Sequence, residues 1–351
     1  MSRIKVLHII TDRDIGSAGQ HILTLFDACN STFAMQVLLP EDSGLKSLFK
    51  QNKIPCRFYD SKQTGVWAEA MAIKQKIKEF MPDILHTHSC FIGRIAARMF
   101  GKCKHVHTQH EVVQAGFFAK LLAGKKYVSI AAFVNAHKNL LETGVPSAKI
   151  RMIYNGVHSA NEYAVGERLR LQRQFNIPDN SFVVTCTAKL TNVYDYVLDT
   201  ARELPYNVII LIAGADGGHK PHMRRRIKKE QLQNVRLLDY VQSADKLMCV
   251  TDVQINLSKE EDAIPIPILF GMSIGKPVIS TQIDSHVIKD GVNGIVVPAE
   301  DAQALDDAIT KIKDAPDLYK ELSDGARLLY TQQFTAERMA QEIENVYKEL
   351  I

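Results

Sequence analysis

The sequence predicts an α/β protein with two domains, each built around a doubly wound parallel sheet. The chain has 351 residues, which is long for one hydrophobic core and suits two domains of roughly 150–190 residues each. Short β-branched runs alternate with amphipathic segments along almost the whole chain, and this alternation is typical of βαβ units. A polar segment, 158–180, interrupts it and contains the turn signal Pro178-Asp179-Asn180.

The first domain is predicted to begin with a strand at 6–10. The apolar run 4–10 around it is short and is broken by Lys5 and His8, so we interpret it as a buried strand and not as a signal peptide. The next segment, 18–29, has apolar residues at helical spacing and predicts a helix. By the same criteria, further strands are predicted at 35–39, 84–86, 105–108 and 149–153, and further helices at 44–51 and 67–79.

The second domain repeats this rhythm, and its strand candidates are 182–187, 208–213, 235–238, 253–257 and 277–280. An amphipathic helix at 336–350 ends the pattern. The predicted division is therefore 1–165, 166–330 and a C-terminal helical segment, 331–351.

Composition excludes several classes of protein. Hydrophobic residues make up 46% and charged residues 23% of the chain, which is ordinary for a globular protein. The net charge of +4 is too small to indicate nucleic-acid binding. The six cysteines are scattered without zinc-like spacing, so we expect reduced thiols and a cytoplasmic location. No stretch approaches the ~20 apolar residues that span a bilayer.

In the first domain, Gly16 and Ser17 lie in the turn between the first strand and its helix. Small residues and free N–H groups at a helix start favour an anion or a sugar, although an ordinary tight turn explains them too. His110 follows the strand at 105–108 and is the best candidate for a functional histidine. The run 12–14 (Asp-Arg-Asp) resembles a DxD metal motif, but we interpret it as a solvated loop.

Two further features of the first domain have competing interpretations. Histidines 86, 88, 105, 107 and 110 gather at neighbouring strand ends, where they suit hydrogen bonding to a polyhydroxyl ligand; a zinc site is the alternative, and we predict no metal. The segment 115–127 mixes apolar residues with lysines. It is either a surface helix packed on the sheet or a peripheral contact with an anionic membrane.

In the second domain, candidate donor-binding residues follow three of the strands. Gly214 and Gly217 lie in a glycine-rich loop after 208–213, and Lys189 follows 182–187. A cation at Lys189 would neutralise charge that builds on a departing diphosphate. An acidic loop then leads into a helix whose first amides form a phosphate site. The residues concerned are Glu260, Glu261, Asp262 and, at the helix start, Ile266.

Seven segments carry a resemblance by their order and spacing: VLHIITDRDIGSAGQHILTL (6–25), PDILHTHS (82–89), HTQH (107–110), KIRMIYNGV (149–157), LIAGADGG (211–218), GMSIGKPVIS (271–280) and DGVNGIVVPAED (290–301). On these segments the chain resembles the group 1 family of retaining glycosyltransferases over nearly its whole length. The resemblance implies the GT-B fold, in which two Rossmann-like domains face each other across a cleft, and a last helix that crosses back to the first domain.

The resemblance also implies individual roles. Gly16 and its neighbours would face the acceptor or the donor phosphate, and His110 would lie beside the transferred sugar. Lys189 matches a basic residue of the family, and Asp262 the first acidic position of its E-x7-E motif.

The sequence departs from the family at other donor contacts. The second acidic position of the motif is Phe270, and the family's lysine and the glycine after it are Tyr194 and Asp195. The glycines expected near 263–265 are Ala-Ile-Pro. Tyr194 completes the predicted donor-binding set.

The predicted function is retaining, metal-independent transfer of a sugar from a UDP- or GDP-linked donor to a glycan or lipid-linked acceptor, without a further cofactor. The departures leave open a degenerate binding subunit or chaperone that supports a catalytic partner. A nucleotide-sugar epimerase of the same architecture is the third possibility. The predicted location is the cytoplasm, with a possible peripheral contact at the inner face of the plasma membrane.

Overall fold

The computed structural model describes residues 3–11, 13, 16–29, 32–61, 65–112, 127–160, 164–187, 191, 194–214, 217–238, 244–257, 265–281 and 287–351. The chain divides into two compact units: Met1–Gly156 together with Ala336–Ile351, and Val157–Thr335. The division thus falls after Gly156, whereas the sequence placed it after residue 165.

Within the described ranges, the sheet of the first unit has seven strands in the order β3-β2-β1-β4-β5-β6-β7, all parallel. The strand order reverses between β1 and β4, which makes this the topological switch point of the sheet. The strands are β1 Ile4–Ile9, β2 Phe33–Pro40, β3 Cys56–Tyr59, β4 Ile84–His88, β5 Lys104–Gln109, β6 Tyr127–Ala131 and β7 Ile150–Met152.

The described part of the second unit contains a six-stranded sheet in the order β10-β9-β8-β11-β12-β13, also parallel. Its switch point lies between β8 and β11. The strands are β8 Phe182–Thr187, β9 Val208–Ala213, β10 Val235–Leu237, β11 Val253–Asn256, β12 Val278–Thr281 and β13 Gly294–Val297.

Helices connect the strands, as the βαβ pattern requires. None of those within the described ranges combines the length and apolar character needed to cross a bilayer. They are α1 Ser17–Ala28, α2 Leu45–Gln51, α3 Val66–Phe80, α4 Phe91–Phe100, α5 Val134–Glu142, α6 Ala164–Gln174, α7 Asp195–Glu203, α8 Lys220–Lys229, α9 Ala244–Val250, α10 Ile266–Ser273, α11 Ala302–Asp314, α12 Pro316–Gln333 and α13 Ala336–Leu350.

The last helix, α13, belongs to the core of the first unit. Its residues Ile343 and Tyr347 are fully buried in one cluster with Val6, Ile84 and Val106 from the centre of the sheet. Apolar residues at helical spacing give α13 this buried face. The end of the chain therefore covers the sheet face that the first strands build.

Most of the predicted elements are present, and the α/β architecture with two doubly wound parallel sheets is confirmed. The runs 182–187 and 208–213, which consist of apolar and β-branched residues, are β8 and β9. The sequence missed β3, whose four residues Cys-Arg-Phe-Tyr show little alternation. It also missed β6: Tyr127, the last residue of the segment 115–127, begins this buried strand, while 113–126 lie outside the described residues.

Candidate functional site

The candidate site in the first unit is a layer of buried histidines on one face of the sheet. His86 and His88 lie two residues apart on β4, so the pleat directs both side chains to the same face. His8 pairs with His86 in the register between β1 and β4, at the switch point. All three side chains are 0% exposed, and His110, which follows β5, is 2% exposed.

His88 connects two other imidazoles by hydrogen bonds. Its Nε2 lies 3.0 Å from His8 Nδ1, and its Nδ1 lies 3.1 Å from His110 Nε2. The backbone N–H of His110 donates to Ser89 Oγ at 2.8 Å, which fixes the chain at the end of β5. The three rings therefore form one hydrogen-bonded row that ends at His110.

His86 is bonded separately, although its ring stacks on His88 with centroids 4.2 Å apart. The Tyr347 hydroxyl of α13 lies 2.6 Å from His86 Nδ1, and Thr108 Oγ1 lies 2.7 Å from Nε2. Both ring nitrogens of His86 are thus paired within the fold. We assign His86 to the structure of the layer.

His21, on α1, is a member of this layer that the sequence reasoning missed. It is 0% exposed, and its Nδ1 lies 2.9 Å from Asn155 Oδ1. Its ring meets that of His110 edge-on, with centroids 4.8 Å apart. One signal was available: His21 shares the apolar stripe of α1 with Ile22 and Leu25, so helical periodicity places it on the buried face.

Burial keeps the layer neutral. It lowers the pKa of His8 to about 3, helped by the nearby His21. It also lowers the pKa of His21 to about 4, although the bond to Asn155 opposes this shift. The pKa of His110 falls well below its ordinary value, through burial and then through His21. Near pH 7 these side chains are therefore uncharged hydrogen-bonding groups.

The sequence suggested that the strand-end histidines gather in one cluster, and this is wrong. His105 and His107 alternate with the residues of β5 that face His86, so the pleat turns them to the opposite face. There, Thr87 Oγ1 lies 2.9 Å from His105 Nε2 and 3.0 Å from His107 Nδ1. Only His86, His88 and His110 of the suggested set share a face.

The glycine turn after β1 lies where predicted, directly before α1. Gly16 is the exposed residue before the helix, and Ser17 is the first helical residue. A Cβ at Gly16 would meet nothing within 4 Å, so this position is open to an approaching group. Gly19 is different, because a Cβ there would lie 2.6 Å from a Leu45 side-chain carbon; its small size serves helix packing.

The glycine loop of the second unit begins at the end of β9. Gly214 is half-buried directly after the strand, and Gly217 is exposed. The left-handed backbone of the loop falls on Gly218, with φ +90°, a conformation that favours glycine. The turn therefore depends on Gly218, which the sequence reasoning did not single out.

Two predicted donor contacts have buried side chains. Tyr194, just before α7, is 3% exposed within the main apolar core of the second unit. Ile266, the first residue of α10, is 7% exposed. Neither the Tyr194 ring nor the Ile266 side chain carries a charge. Any role for Ile266 in phosphate binding therefore depends on its backbone N–H. Phe270 packs against a second apolar cluster, which suits its replacement of an acidic residue.

Asp195, which replaces the family's glycine, has partners that the sequence did not indicate. His219 Nε2 lies 3.0 Å from its carboxylate, and the Arg226 guanidinium donates to its carbonyl oxygen at 2.9 Å. His222 Nε2 lies 3.6 Å from the same carboxylate. The start of α7 is thus connected to α8 by charged groups.

Lys189, Glu260, Glu261 and Asp262 lie outside the described residues, as do positions 12 and 14 of the Asp-Arg-Asp run. The strands that precede the first four are described, however. Lys189 follows β8 and the acidic run follows β11, and these strands pair in parallel on the two sides of the switch point. Ligands of open α/β sheets bind beyond the carboxyl ends of such strands.

Each of the two units is matched by the model of a known protein family. The model of Glycosyltransferase Family 4 matches residues 18–161, and the model described as Glycosyl transferases group 1 matches residues 181–314. The first match contains α1 and the histidine layer from His21 to His110. The second contains β8 to β13 and the segments predicted to bind the donor.

Individual relatives agree with these matches. The O-antigen biosynthesis glycosyltransferase WclY of Escherichia coli is 25% identical over 303 residues, covering 80% of this chain and 83% of that protein. HepE of Anabaena, solved in complex with UDP and glucose, has a TM-score of 0.84 at 19% identity and covers 99% of this chain and 100% of its own. A glycosyltransferase from Rickettsia africae also has a TM-score of 0.84 at 19% identity, with 100% and 99% coverage. The chain has the GT-B fold and belongs to the group 1 family of glycosyltransferases.

Proposed function

We propose that this enzyme transfers a sugar, with retention of anomeric configuration, from a UDP- or GDP-linked donor to a hydroxyl group of a glycan or lipid-linked acceptor. The observation that carries the proposal is the switch point of the second sheet. Both sets of charged residues predicted to contact the donor, Lys189 and the acidic run 260–262, follow the two strands that flank it. A nucleotide bound beyond β8 and β11 would lie next to both sets.

The donor site would combine a cation with the backbone amide at the start of α10. Lys189 would neutralise the charge that develops on the departing diphosphate. At the start of α10, Pro267 has no backbone N–H and the Ile268 N–H donates to the Pro265 carbonyl oxygen at 2.9 Å, so the Ile266 N–H is the amide of this turn that we assign to a phosphate. We assign Asp262 and its neighbours to the hydroxyl groups of the donor, because carboxylates accept hydrogen bonds from them.

The first unit would bind the transferred sugar of the donor. His110 is buried and neutral, with Nδ1 unpaired among the described residues. It would hydrogen-bond a sugar hydroxyl, and we assign it no charged state and no general-base role, because its pKa lies well below the physiological range. The exposed turn at Gly16 and Ser17 would leave room for the acceptor or for a donor phosphate.

In the transfer step, the bond between the anomeric carbon and the diphosphate oxygen breaks, and the acceptor oxygen bonds to that carbon on the same face. The acceptor hydroxyl loses its proton to an oxygen of the leaving phosphate. We assign no metal to the step, because Lys189 and the Ile266 amide would oppose the charge of the leaving group. Shielding of the site from water would limit donor hydrolysis.

Replacement of Lys189 tests this assignment. Loss of a charge partner of the diphosphate should cost about 2–4 kcal/mol of transition-state stabilisation, so Lys189→Ala should slow transfer ~100-fold or more. Release of nucleoside diphosphate with matched donor and acceptor measures the rate. Lys228→Ala, on the exposed side of α8, is the matched control. An unchanged rate for Lys189→Ala would remove Lys189 from the mechanism.

Calorimetry with a panel of UDP- and GDP-sugars tests donor binding itself. Micromolar binding supports the enzyme, whereas silence across the panel would indicate the degenerate binding subunit. Tyr194 is buried and Phe270 is half-buried, and both replace polar contacts of the family, so this test decides between the two functions. Formation of a new epimer without acceptor would indicate the epimerase.

The relative WclY acts in O-antigen biosynthesis, and we propose assembly of a cell-surface glycan from the cytoplasmic side for this chain as well. A lipid-linked acceptor would bring the enzyme to the membrane, and 115–127 stays the predicted contact. Sedimentation with anionic liposomes tests it, using a variant neutralised at Lys120, Lys125 and Lys126. If the wild type remains in the supernatant, membrane contact is wrong.

A further inference from the structure

One side of α3, in the first unit, exposes large apolar side chains next to lysines. Trp67, the only tryptophan of the chain, is 68% exposed, and Met71 is 53% exposed. Lys74 and Lys78 continue the series, so that successive members lie four, three and four residues apart on the helix. Side chains at this spacing lie on the same side of a helix. We call these four residues the α3 stripe.

The fold does not use the apolar part of the α3 stripe. A different side of the helix attaches it to the sheet, where Ile73 and Ile77 are 0% exposed in one apolar cluster with Leu85 of β4. Neither Trp67 nor Met71 belongs to that cluster. Exposed apolar side chains grouped beside charged ones mark surfaces that bind another molecule or a membrane.

The lysines of the α3 stripe carry positive charge that the fold leaves unpaired. Within the described residues, neither Lys74 nor Lys78 takes part in an ion pair. The two acidic residues of the helix are engaged elsewhere: Glu79 pairs with Lys76 at 3.1 Å, and Glu69 accepts a hydrogen bond from a tyrosine hydroxyl of β3. The α3 stripe itself contains no acidic residue, so it attracts an anionic surface.

A groove with a volume of about 430 Å³ lies beside the α3 stripe. Lys74, Lys76 and Lys78 line it together with the small Ala72, and Asp60 is the acidic residue of this lining. Three ammonium groups against one carboxylate leave the groove positive. Its volume is large enough for the phosphate headgroup of a lipid.

The residue types favour a membrane over a protein partner. Interfaces between proteins are enriched in Trp and Met but depleted in Lys. Trp beside Lys is instead typical of helices that lie in the membrane interface. There the indole ring settles at the level of the headgroups, and the lysine side chains extend along the apolar surface so that their ammonium groups reach the lipid phosphates.

We propose that the α3 stripe is a docking surface for an anionic phospholipid bilayer. Trp67 and Met71 would enter the headgroup region, and Lys74 and Lys78 would contact the lipid phosphates. The inference rests on the proposed function in one respect, the membrane that a lipid-linked acceptor requires. It uses other residues than 115–127 and is independent of the transfer step.

Fluorescence of Trp67 tests the proposal directly, because a chain with one tryptophan reports on this surface alone. The full-length chain is titrated with vesicles of phosphatidylcholine and phosphatidylglycerol in equal parts. The emission of Trp67 should shift to the blue, and its quenching by acrylamide should decrease. Vesicles of phosphatidylcholine alone should cause a much smaller shift, and added salt should weaken the binding.

A charge variant keeps Trp67 as the reporter. Lys74→Gln/Lys78→Gln should weaken binding to the anionic vesicles about 10–30-fold, from roughly 5-fold for each lysine. The matched control, Lys228→Gln/Lys229→Gln, removes the same charge from exposed residues of α8 and should bind as the wild type does. Circular dichroism checks folding, and the wild-type titration is informative whether or not a variant folds.

Three results would overturn the inference. In the first, the wild type sediments with anionic vesicles while the emission of Trp67 stays unchanged, which would leave 115–127 as the contact. In the second, the blue shift appears without vesicles as the protein concentration rises, which would show that a second copy of the chain covers the α3 stripe. In the third, the wild type binds no vesicles, and both membrane contacts are wrong. Sugar transfer is measured separately, by release of nucleoside diphosphate, and stands or falls on that assay.

Discussion

Lowering the pH from 7 to 5 should destabilise the first unit, because its buried histidines cannot take up protons while it is folded. His8 and His21 have ordinary pKa values of 6.5 in the unfolded chain, and burial lowers these to about 3 and about 4. Below pH 6.5 the unfolded chain therefore binds protons that the folded chain excludes, and stability falls. Above pH 6.5 both rings are neutral in the folded and in the unfolded chain, so they add no pH dependence to the free energy of unfolding.

The magnitude follows from the interval between 6.5 and 5. Each histidine contributes about 1.36 kcal/mol per pH unit over this range, so His8 and His21 cost about 2 kcal/mol each at pH 5. Both folded-state pKa values lie below 5, so the native rings stay neutral throughout. A combined loss of about 4 kcal/mol is large beside a typical domain stability of about 5–15 kcal/mol.

Urea unfolding, followed by pulsed hydrogen exchange and mass spectrometry, measures this loss in the presence of chelator. Peptides from β4 and β5 report on the first unit separately from the second. His8→Gln keeps a group that can bond His88 but cannot titrate, so the slope of stability against pH should fall by about 1.4 kcal/mol per unit. His222→Asn, in the second unit, should leave that slope unchanged. A midpoint for β4 that is the same at pH 7 and pH 5 would refute the reasoning.

Two further predictions concern packing. Tyr347→Phe removes the partner of His86 Nδ1, which lies 2.6 Å away in the core, and should lower the free energy of unfolding by about 1–3 kcal/mol; thermal unfolding with an unchanged midpoint would contradict this. Gly294→Ala would place a Cβ 1.9 Å from the Val278 carbonyl oxygen of the paired strand, which the backbone cannot relieve cheaply, so we expect a loss of about 1–3 kcal/mol or more. The control is Gly16→Ala, where nothing lies within 4 Å of the added atom; it should change the free energy of unfolding by less than about 0.5 kcal/mol. An equal effect of the two glycine substitutions would contradict the predicted clash at Gly294.

Local sequence patterns predicted β8 and β9 well and missed the edge strand β3. The strands β8 and β9 lie in the interior of a parallel sheet and are buried on both faces, so each appears as a short run of apolar and β-branched residues. At the edge of the other sheet, β3 pairs with one neighbour and is half-buried along most of its length. Such a segment has no strong pattern, because only part of its surface leaves water.

Local sequence patterns also identified some residues of the candidate site and missed others. His110 was recognisable because it follows a strand, and strand ends are where parallel sheets bind ligands. His21 was not singled out, since its partner Asn155 is 134 residues away. The separation of His105 and His107 from His86 depends on which side of the pleat each residue occupies. A one-residue error in the register assigned to a strand would place each of its side chains on the wrong face.

The sequence by itself determined most of the strands and helices, the presence of two parallel sheets and the family, because these depend on hydrophobic periodicity and on the order of short motifs. Tertiary structure alone decided that Tyr347 of α13 pairs with His86. It also decided that His8, His21, His88 and His110 meet in one neutral layer. The physical reason is that burial and hydrogen bonding depend on distances between side chains far apart in the chain, which no local pattern specifies.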